Sequence, residues 1–205
     1  MKIVELKEAV LNHSGDFICS GRGDDEDTKT ISFKHKFDPP DLVAEVPDIG
    51  KLKDFYSTFG SLTLYHHEAS DDAGFYITNP EGWSIIEEEF SGWIEDLDEE
   101  EEEELLPDWI NDCIVIGEIP HSGNYLLVPL SGEMSGHIFE FEHDGFEFIE
   151  LASDIYEFVL RALNPDSRSL TNMASHMTLT EPGEDNQWWI EEMRDDHGNV
   201  VKTEA

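Results

Sequence analysis

The segment WINDCIVIGEIPHSGNYLLVPLSGEMSGHIFEFEHDGFEFIELASDIYEFVLRAL, residues 109–163, decides the fold of this chain. Within it, four runs of apolar and aromatic residues are separated by Gly, Asn, Ser and Asp, which is the pattern of short strands joined by turns. The predicted strands are 113–117, 125–130, 137–143 and 146–150. A run at helical spacing follows, and it predicts a helix that begins after an N-cap at Ser153 and ends near Leu163. Strands backed by a helix predict an α+β domain with a mainly antiparallel or mixed sheet.

The third and fourth strands are joined by Asp144 and Gly145, which favour a two-residue type I′ hairpin turn. The register of such a hairpin places Phe141 opposite Phe148. It also places Glu142 opposite Glu147, and like charges directly opposite each other weaken a strand pair.

Before this segment, residues 48–59 carry apolar side chains at helical spacing and predict a helix. Asp48 is its predicted N-cap, and Gly60 stands where a helix end favours a left-handed residue. Two strands are predicted next, around residues 62–64 and 74–78.

A second helix is predicted from a capping box, Ser84 to Glu87, followed by an apolar face. That face comprises Ile86, Phe90, Trp93 and Leu97. The opposite face carries Glu87, Glu88, Glu89, Glu95 and Asp96. Seven consecutive acidic residues, 98–104, come next, and a charge block of this kind predicts a solvated loop. We therefore expect an acidic loop over residues 95–104.

The ends of the chain do not repeat this pattern, so we divide it into three parts. Residues 1–40 are an N-terminal β-rich extension with strands predicted at 16–20 and 29–37. Residues 41–163 form the α+β domain, which follows a linker at the sequence DPPD, residues 38–41. Residues 164–205 form a polar C-terminal extension that is rich in turn residues, apart from the apolar residues 188–190.

Charge is the second informative feature. The formal net charge is −36 over 205 residues. No Lys or Arg lies between Lys53 and Arg161, although that stretch contains twenty-eight Asp and Glu residues. Self-repulsion of this kind destabilises a compact state. A basic partner, bound metal or a salty cytoplasm would offset it.

The composition also excludes several classes of ligand and location. Phosphates are repelled by this charge, so we expect no nucleic-acid ligand. No apolar run approaches the length of a membrane-spanning helix, and the N-terminus lacks the apolar core of a secretory signal. Cys19 and Cys113 show no metal-ligand spacing and indicate reduced thiols, so we expect a cytoplasmic protein.

The elements WI…IVIG, GNYLLVPL, GHIFEFEHDG and LASDIYEFVLRAL resemble those of the SUKH superfamily. The resemblance covers residues 43–163. That group includes fungal regulators of cell-wall assembly and bacterial immunity proteins of polymorphic toxin systems. It implies an α+β domain with a sheet backed by helices, and it implies no catalytic residues.

We therefore expect a protein-binding domain that is not an enzyme and has no cofactor, and whose basic partner is a toxin domain such as a nuclease. The predicted partner-binding residues on and after the second helix are Glu87, Glu88, Glu89, Glu95, Asp96 and Asp98. A second predicted patch on the sheet comprises Glu140, Glu142 and Glu147. Opposite charges raise association rates and favour the right partner.

Several alternatives stay open at this stage. A solvated, partly disordered acidic surface and adaptation to a saline habitat are alternative explanations of the acidity. An intracellular regulatory or scaffold module is the first alternative function, and a metal-dependent hydrolase is the second. No dedicated metal site is expected, because His66 and His67 point to opposite faces of a strand unless a bulge intervenes. His137 and His143 are about 20 Å apart at the rise of a strand. The sequence leaves the oligomeric state undetermined.

Overall fold

The computed structural model describes residues 1–21, 27–40, 46–183 and 186–204. Within these ranges the helices are α1 Ile3–Asn12, α2 Leu52–Tyr56, α3 Trp83–Ile94, α4 Glu99–Leu105, α5 Ile155–Leu163 and α6 Ser167–His176. The strands are β1 Gly15–Gly21, β2 Thr28–Phe37, β3 Leu62–His66, β4 Phe75–Ile77, β5 Cys113–Ile119, β6 Asn124–Pro129, β7 Ile138–Glu142, β8 Glu147–Ala152, β9 Leu179–Thr180, β10 Gln187–Asp195 and β11 Val200–Lys202.

The strands form one sheet in the order β11-β10-β1-β2-β3-β4-β5-β6-β7-β8, and β9 pairs with β10. From β1 to β8 each strand lies beside the next one along the chain, and every pair is antiparallel. The predicted α+β class is therefore confirmed. The segments that we described as terminal extensions contribute β1, β2, β10 and β11 to this same sheet.

Helices cover both faces of the sheet, and the alternation of side chains along the strands decides which residues they meet. On one face Leu126 and Ile138 belong to the main core, which also contains residues of α1, α2, α5 and α6. On the other face Leu127 and Phe141 pack in a second buried cluster with Ile86 and Phe90 of α3. Burying each of these large apolar side chains stabilises the fold by about 1.5–3 kcal/mol.

The segment 109–163 folds largely as predicted: β5, β6, β7, β8 and α5 match the four strands and the helix. The N-cap of α5 is different. Asp154 accepts hydrogen bonds from the backbone N–H groups of Tyr156 and Glu157, at 2.9 and 3.0 Å. Ser153 instead donates its hydroxyl to the Glu157 carboxylate at 2.5 Å. The prediction of Ser153 as N-cap was wrong by one residue.

The predicted register of the β7–β8 hairpin is confirmed, with Phe141 opposite Phe148 and Glu142 opposite Glu147. The predicted turn type is wrong. Four residues, 143–146, join the strands. The positive φ falls at Phe146, at 53°, whereas a type I′ turn needs it at both central residues, Asp144 and Gly145.

The helix predicted over 48–59 is shorter than expected. Gly50 and Lys51 have left-handed backbone conformations, with φ of 47° and 63°, so α2 begins only at Leu52 and Asp48 is not its N-cap. Gly60 is required for close packing rather than for a left-handed turn. Its N–H donates to the carbonyl of Asp38 at 2.8 Å, and a Cβ there would lie 2.2 Å from the Pro39 carbonyl oxygen.

Helix α3 follows a 3₁₀ turn, Pro80–Gly82, in which the Asn79 side chain accepts from the Gly82 N–H. Ser84 therefore lies inside the first turn of α3 and is not the N-cap that the sequence predicted. The predicted inward face is confirmed at Ile86 and Phe90, whereas Trp93 is 40% exposed.

Residues 99–104 of the acidic run are helical, with Asp98 as the N-cap, so the loop prediction for 95–104 was wrong over this part. The Asp98 carboxylate accepts from the N–H groups of Glu100 and Glu101, and the Glu101 carboxylate accepts from the Asp98 N–H. This capping box satisfies N–H groups that a helix start otherwise leaves unpaired. The acidic first turn also interacts favourably with the helix dipole, which offsets part of the repulsion.

Both ends of the chain contain helices that the sequence analysis missed. Helix α1 precedes β1 and β2, which confirm the two strands predicted there. Helix α6 buries Leu170, Met173 and Ala174, residues that recur at helical spacing in the tail. Within the described residues, no helix is long and apolar enough to cross a membrane.

Candidate functional site

The carboxylates of α3 and α4 form the first candidate site, which we call the acidic face. It comprises Glu87, Glu88, Glu89, Glu95, Asp96 and residues 98–104, and all of them are exposed. The face exists because α3 uses Ile86 and Phe90 to pack on the sheet and turns its glutamates outwards. Helix α4 has no buried residue, so its acidic side chains project on all sides.

The acidic face has no counter-charge of its own. Within the described residues, no Lys, Arg or His side chain forms an ion pair with any of its carboxylates. In the part of the chain that the structure describes, three Lys and Arg residues pair with carboxylates between 54 and 160: Lys36 with Asp71, Lys51 with Asp154 and Arg161 with Glu157. These pairs lie on other elements.

The field of the acidic face reaches neighbouring groups. Burial raises the pKa of the Cys113 thiol to about 12, and Glu87 and Asp112 add to this shift. Burial also raises the pKa of Glu118, and the negative charge of Glu89 adds to that shift. In both cases burial is the larger cause and the negative charge of the acidic face adds to it, while His121 partly lowers the pKa of Glu118.

The second predicted patch lies on the opposite face of the sheet. In β7, Phe139 and Phe141 alternate with Glu140 and Glu142, so the phenylalanines point towards the α3 side and the glutamates away from it. Glu140 and Glu142 line a cavity between the sheet and helices α5 and α6. Glu147 is exposed opposite Glu142 and is outside the cavity lining. The nine predicted partner-binding residues therefore do not form one surface.

The cavity has a volume of about 690 Å³. Its apolar lining includes Phe75, Ile119, Ile149, Leu151, Phe158 and Met173. Its polar and charged lining includes Asn124, Glu140, Glu142, Asp144, Arg161 and His176. The site thus combines an apolar wall with a group of carboxylates.

Asn124 organises the floor of this cavity and is only 2% exposed. Its Oδ1 accepts the backbone N–H of His143 at 3.1 Å, which fixes the orientation of the amide. Its Nδ2 therefore donates to Oε1 of Glu140, at 2.7 Å. The His143 ring places Nδ1 3.0 Å from the same Oδ1, so that this ring nitrogen carries the hydrogen.

Glu140 is half-buried and has no cation beside it within the described residues. Burial raises the pKa of its carboxyl group, the hydrogen bond from Asn124 lowers it, and the charge of Glu142 raises it further. Its second oxygen, Oε2, accepts no hydrogen bond from any described residue. The floor of the cavity thus presents a carboxylate oxygen that is available to a ligand.

Arg161 lines the cavity but is engaged elsewhere. Its guanidinium donates to the Leu151 carbonyl and to Oε1 of Glu157, the latter at 2.6 Å. Asp166 is the N-cap of α6 and accepts from the Ser169 N–H at 2.8 Å. Burial lowers the pKa of His176, which favours its neutral form. Of the carboxylates that line the cavity, Glu140, Glu142 and Asp144 form no ion pair with a Lys or Arg among the described residues.

Glu142, His143 and Asp144 are the described residues that could hold a metal ion, because one ligand atom of each lies within 4.8 Å of the others. These groups already have partners: the Glu142 carboxylate accepts from the N–H groups of Asp144 and Gly145. His143 Nε2 lies 3.0 Å from Oδ1 of Asp144.

His66 and His67 do not form a metal site with each other. The left-handed backbone of Tyr65, with φ of 57°, interrupts the alternation, so both imidazoles are buried. His66 Nε2 contacts Oδ1 of Asp71 at 2.8 Å, whereas His67 contacts the Ser70 hydroxyl.

Sequence reasoning missed Asn124 and the residues of α6 in this cavity. The Gly-Asn pair predicts a turn at Asn124, whereas Asn124 begins an otherwise apolar strand. A polar side chain in that position, on the same face as Leu126, is a signal of a buried polar contact. The helical spacing of Leu170, Met173 and Ala174 would have placed α6 against the core.

Comparison of the chain with protein-family models, with curated proteins and with solved structures finds no match, so the resemblance to the SUKH superfamily stays a prediction.

Proposed function

We propose that this protein binds a basic protein partner through the acidic face of α3 and α4, without catalysing a reaction. The observation that supports this function is the density of exposed carboxylates on that face and the lack of any ion-pair partner for them among the described residues. A partner that brings Lys and Arg side chains supplies the missing charge.

The physical gain from such a partner is mainly kinetic. Complementary charge steers an approaching protein and raises the association rate by about 10- to 1,000-fold at low salt. Helix α4 suits this role because its capping box holds the helix in place while none of its residues is buried. Its side chains are free to contact a partner from several directions.

The partner that we propose is a bacterial toxin domain, and the protein would act as its cytoplasmic immunity protein by covering the basic surface of the toxin. This finer statement rests on the resemblance of residues 43–163 to the SUKH superfamily and on the sign of the charge. A nuclease toxin carries a basic surface because it must bind phosphates.

A charge-matched pair of variants tests the binding surface. The first variant replaces Glu99, Glu100, Glu102 and Glu103 by Gln and keeps the capping residues Asp98 and Glu101. The control replaces four exposed glutamates on other elements by Gln: Glu8, Glu68, Glu133 and Glu191. Both variants carry the same net charge, so any difference between them reports where the charge lies.

The partner is first captured from the cells of origin at low salt and then purified for kinetic measurements. We expect the α4 variant to associate at least about tenfold more slowly than wild type at low salt, with a flatter salt dependence. The control should stay within about threefold of wild type. Equal association rates for the two variants would remove the acidic face from the interface.

A growth assay then separates the proposed toxin from a regulatory or scaffold partner. The captured protein is expressed alone and together with this chain. Toxicity that co-expression relieves supports immunity, and relief should weaken with the α4 variant but not with the control. A partner that is harmless when expressed alone contradicts the immunity function and favours the scaffold alternative.

A further inference from the structure

The cavity beneath α5 and α6 is not used by the proposed interface, because it opens on the opposite face of the sheet from α3. Its volume of about 690 Å³ lies within the roughly 300–1,000 Å³ of small-molecule sites. It combines an apolar wall with polar and charged groups that converge from different elements.

The polar groups of the cavity favour a positive ligand. Glu140 stands at the floor, held by the buried Asn124, and its Oε2 accepts no hydrogen bond from the described residues. Glu142 and Asp144 line the same cavity. Arg161 does not neutralise them, because its guanidinium is bonded to Glu157 and to the Leu151 carbonyl.

The apolar side chains of the cavity favour a ligand whose cationic group is attached to an apolar part. Phe75 and Phe158 pack edge to face, with ring centroids 5.5 Å apart, and Met173 of α6 lines the cavity with them. A bare metal ion would leave this wall uncovered and would prefer a shell of six or more oxygen ligands. An aliphatic stem covers the wall and removes apolar surface from water.

We propose that this cavity binds a small organic cation, which places a primary ammonium or guanidinium group against Glu140 and its aliphatic stem against Phe158 and Met173. Charge-assisted hydrogen bonds of this type are roughly twice as strong as neutral ones. The burial that raises the pKa of Glu140 also favours a cationic ligand, because such a ligand compensates the ionised carboxylate.

Calorimetric titration with agmatine, cadaverine and spermidine at fixed ionic strength tests this proposal. The neutral analogue 1,5-pentanediol controls for the stem, and magnesium chloride controls for an inorganic cation. We expect saturable 1:1 binding of at least one organic cation with a Kd below about 1 mM. We expect no saturable binding of pentanediol, and none of magnesium that competes with the organic cation.

Three variants locate the site. Glu140→Gln keeps the acceptor for Asn124 but removes the charge, and should weaken binding about tenfold or more. Asn172→Trp fills the cavity from an exposed position on α6 without changing any charge, and should also weaken binding about tenfold. Glu133→Gln removes one exposed charge outside the cavity and should stay within about twofold of wild type.

The outcomes decide the proposal even if Glu140→Gln folds poorly, because Asn172→Trp tests the same cavity. Lack of saturable binding to all three cations overturns it. Equal weakening by Glu140→Gln and Glu133→Gln also overturns it, since that result indicates a diffuse polyanion effect. The α4 variant with four Gln substitutions must keep its affinity for the cation, so this proposal and the proposed function can fail independently.

Discussion

Asn124 and Glu140 are joined by a hydrogen bond of 2.7 Å from Nδ2 to Oε1, and the same Asn124 side chain accepts the backbone N–H of His143. One buried amide therefore positions both the carboxylate on the floor of the cavity and the start of the β7–β8 loop, which carries Asp144 to the cavity lining. The arrangement couples the stability of the hairpin to the geometry of the candidate ligand site.

Removing this amide should destabilise the protein. Asn124→Ala leaves the His143 N–H and the Glu140 carboxylate without their partner, and a buried polar group left unpaired costs about 1–3 kcal/mol. Urea unfolding should show a loss of this size. Asn172→Ala, at an exposed position on α6, is the matched control and should change the free energy of unfolding by less than about 0.5 kcal/mol. Equal losses in the two variants would contradict the role that we assign to Asn124.

Glu140→Gln should stabilise the protein at neutral pH. The folded state raises the pKa of Glu140 above its unfolded value. The unfolded chain therefore loses this proton first as the pH rises, and the group disfavours folding above its folded pKa. Removing the charge relieves that cost while Gln Oε1 still accepts from Asn124. The midpoint of thermal unfolding should rise at pH 7 and should not rise at a pH below the unfolded pKa. A lower midpoint at pH 7 would mean that the ionised carboxylate stabilises the fold.

The sequence predicted those parts of the fold in which local pattern and tertiary packing agree. The β7–β8 register follows from alternation alone, and it holds although the turn chemistry at Asp144 and Gly145 differs. The sequence patterns gave wrong predictions where tertiary packing determines the backbone conformation. Gly60, for example, is required because the Pro39 carbonyl oxygen lies too close to leave room for a Cβ, and not because a helix ends there in a left-handed conformation. The patterns were also wrong for the acidic run. Charge repulsion there predicts a loop, whereas the capping box of Asp98 and Glu101 favours a helix.

Of the two candidate sites, the acidic face could be predicted from the sequence and the cavity could not. Exposure of the glutamates on α3 follows from helical periodicity, so the acidic face was predictable apart from the helical form of residues 99–104. The cavity was not predictable, because residues of α6 from the tail line it together with residues of β6 and β7, which are distant in the sequence. Glu140 was identified from its charge, but its burial depends on contacts between segments that are distant in the sequence.

Helix α4 should depend on its cap. Asp98→Ala removes the carboxylate that accepts two backbone N–H groups, and loss of an N-cap costs about 0.5–2 kcal/mol. Because α4 buries no residue, the effect should be local. Amide hydrogen exchange over residues 99–105 should accelerate, while the global free energy of unfolding changes little. Asp98→Asn keeps an acceptor and should preserve most of the protection. If exchange over 99–105 is unchanged in Asp98→Ala, the capping box does not hold the helix.

Both thiols should be unreactive in the folded protein. Burial raises the pKa of Cys19 and of Cys113 to about 12, and the thiolate is the nucleophilic form. At pH 8 a thiol of this pKa is ionised in only about one molecule in ten thousand. Iodoacetamide should therefore label the native protein far more slowly than the protein unfolded in urea. Rapid labelling of native Cys113 would contradict its predicted role as a small core side chain.

Acid should destabilise the fold through the stacked pair His13 and His35, whose rings lie 5.1 Å apart. Burial, together with the charge of the neighbouring His13, lowers the pKa of His35 to about 3. The unfolded chain takes up this proton near pH 6.5, whereas the folded chain does so only near pH 3, so stability is complete above 6.5 and is lost as the pH falls. Urea unfolding should show a slope from this group of about 1.4 kcal/mol per pH unit below 6.

His35→Phe separates this contribution from that of the carboxylates. The variant loses the acceptor for the Tyr65 N–H, so it should be less stable than wild type at pH 7. The difference in free energy of unfolding between wild type and the variant should shrink as the pH falls from 6.5 to 5, because the variant has no imidazole to protonate at this position. His121→Phe removes an exposed imidazole, so its stability relative to wild type should not change with pH in this way. A stability difference between wild type and His35→Phe that stays constant over this pH range would show that His35 does not carry the acid sensitivity.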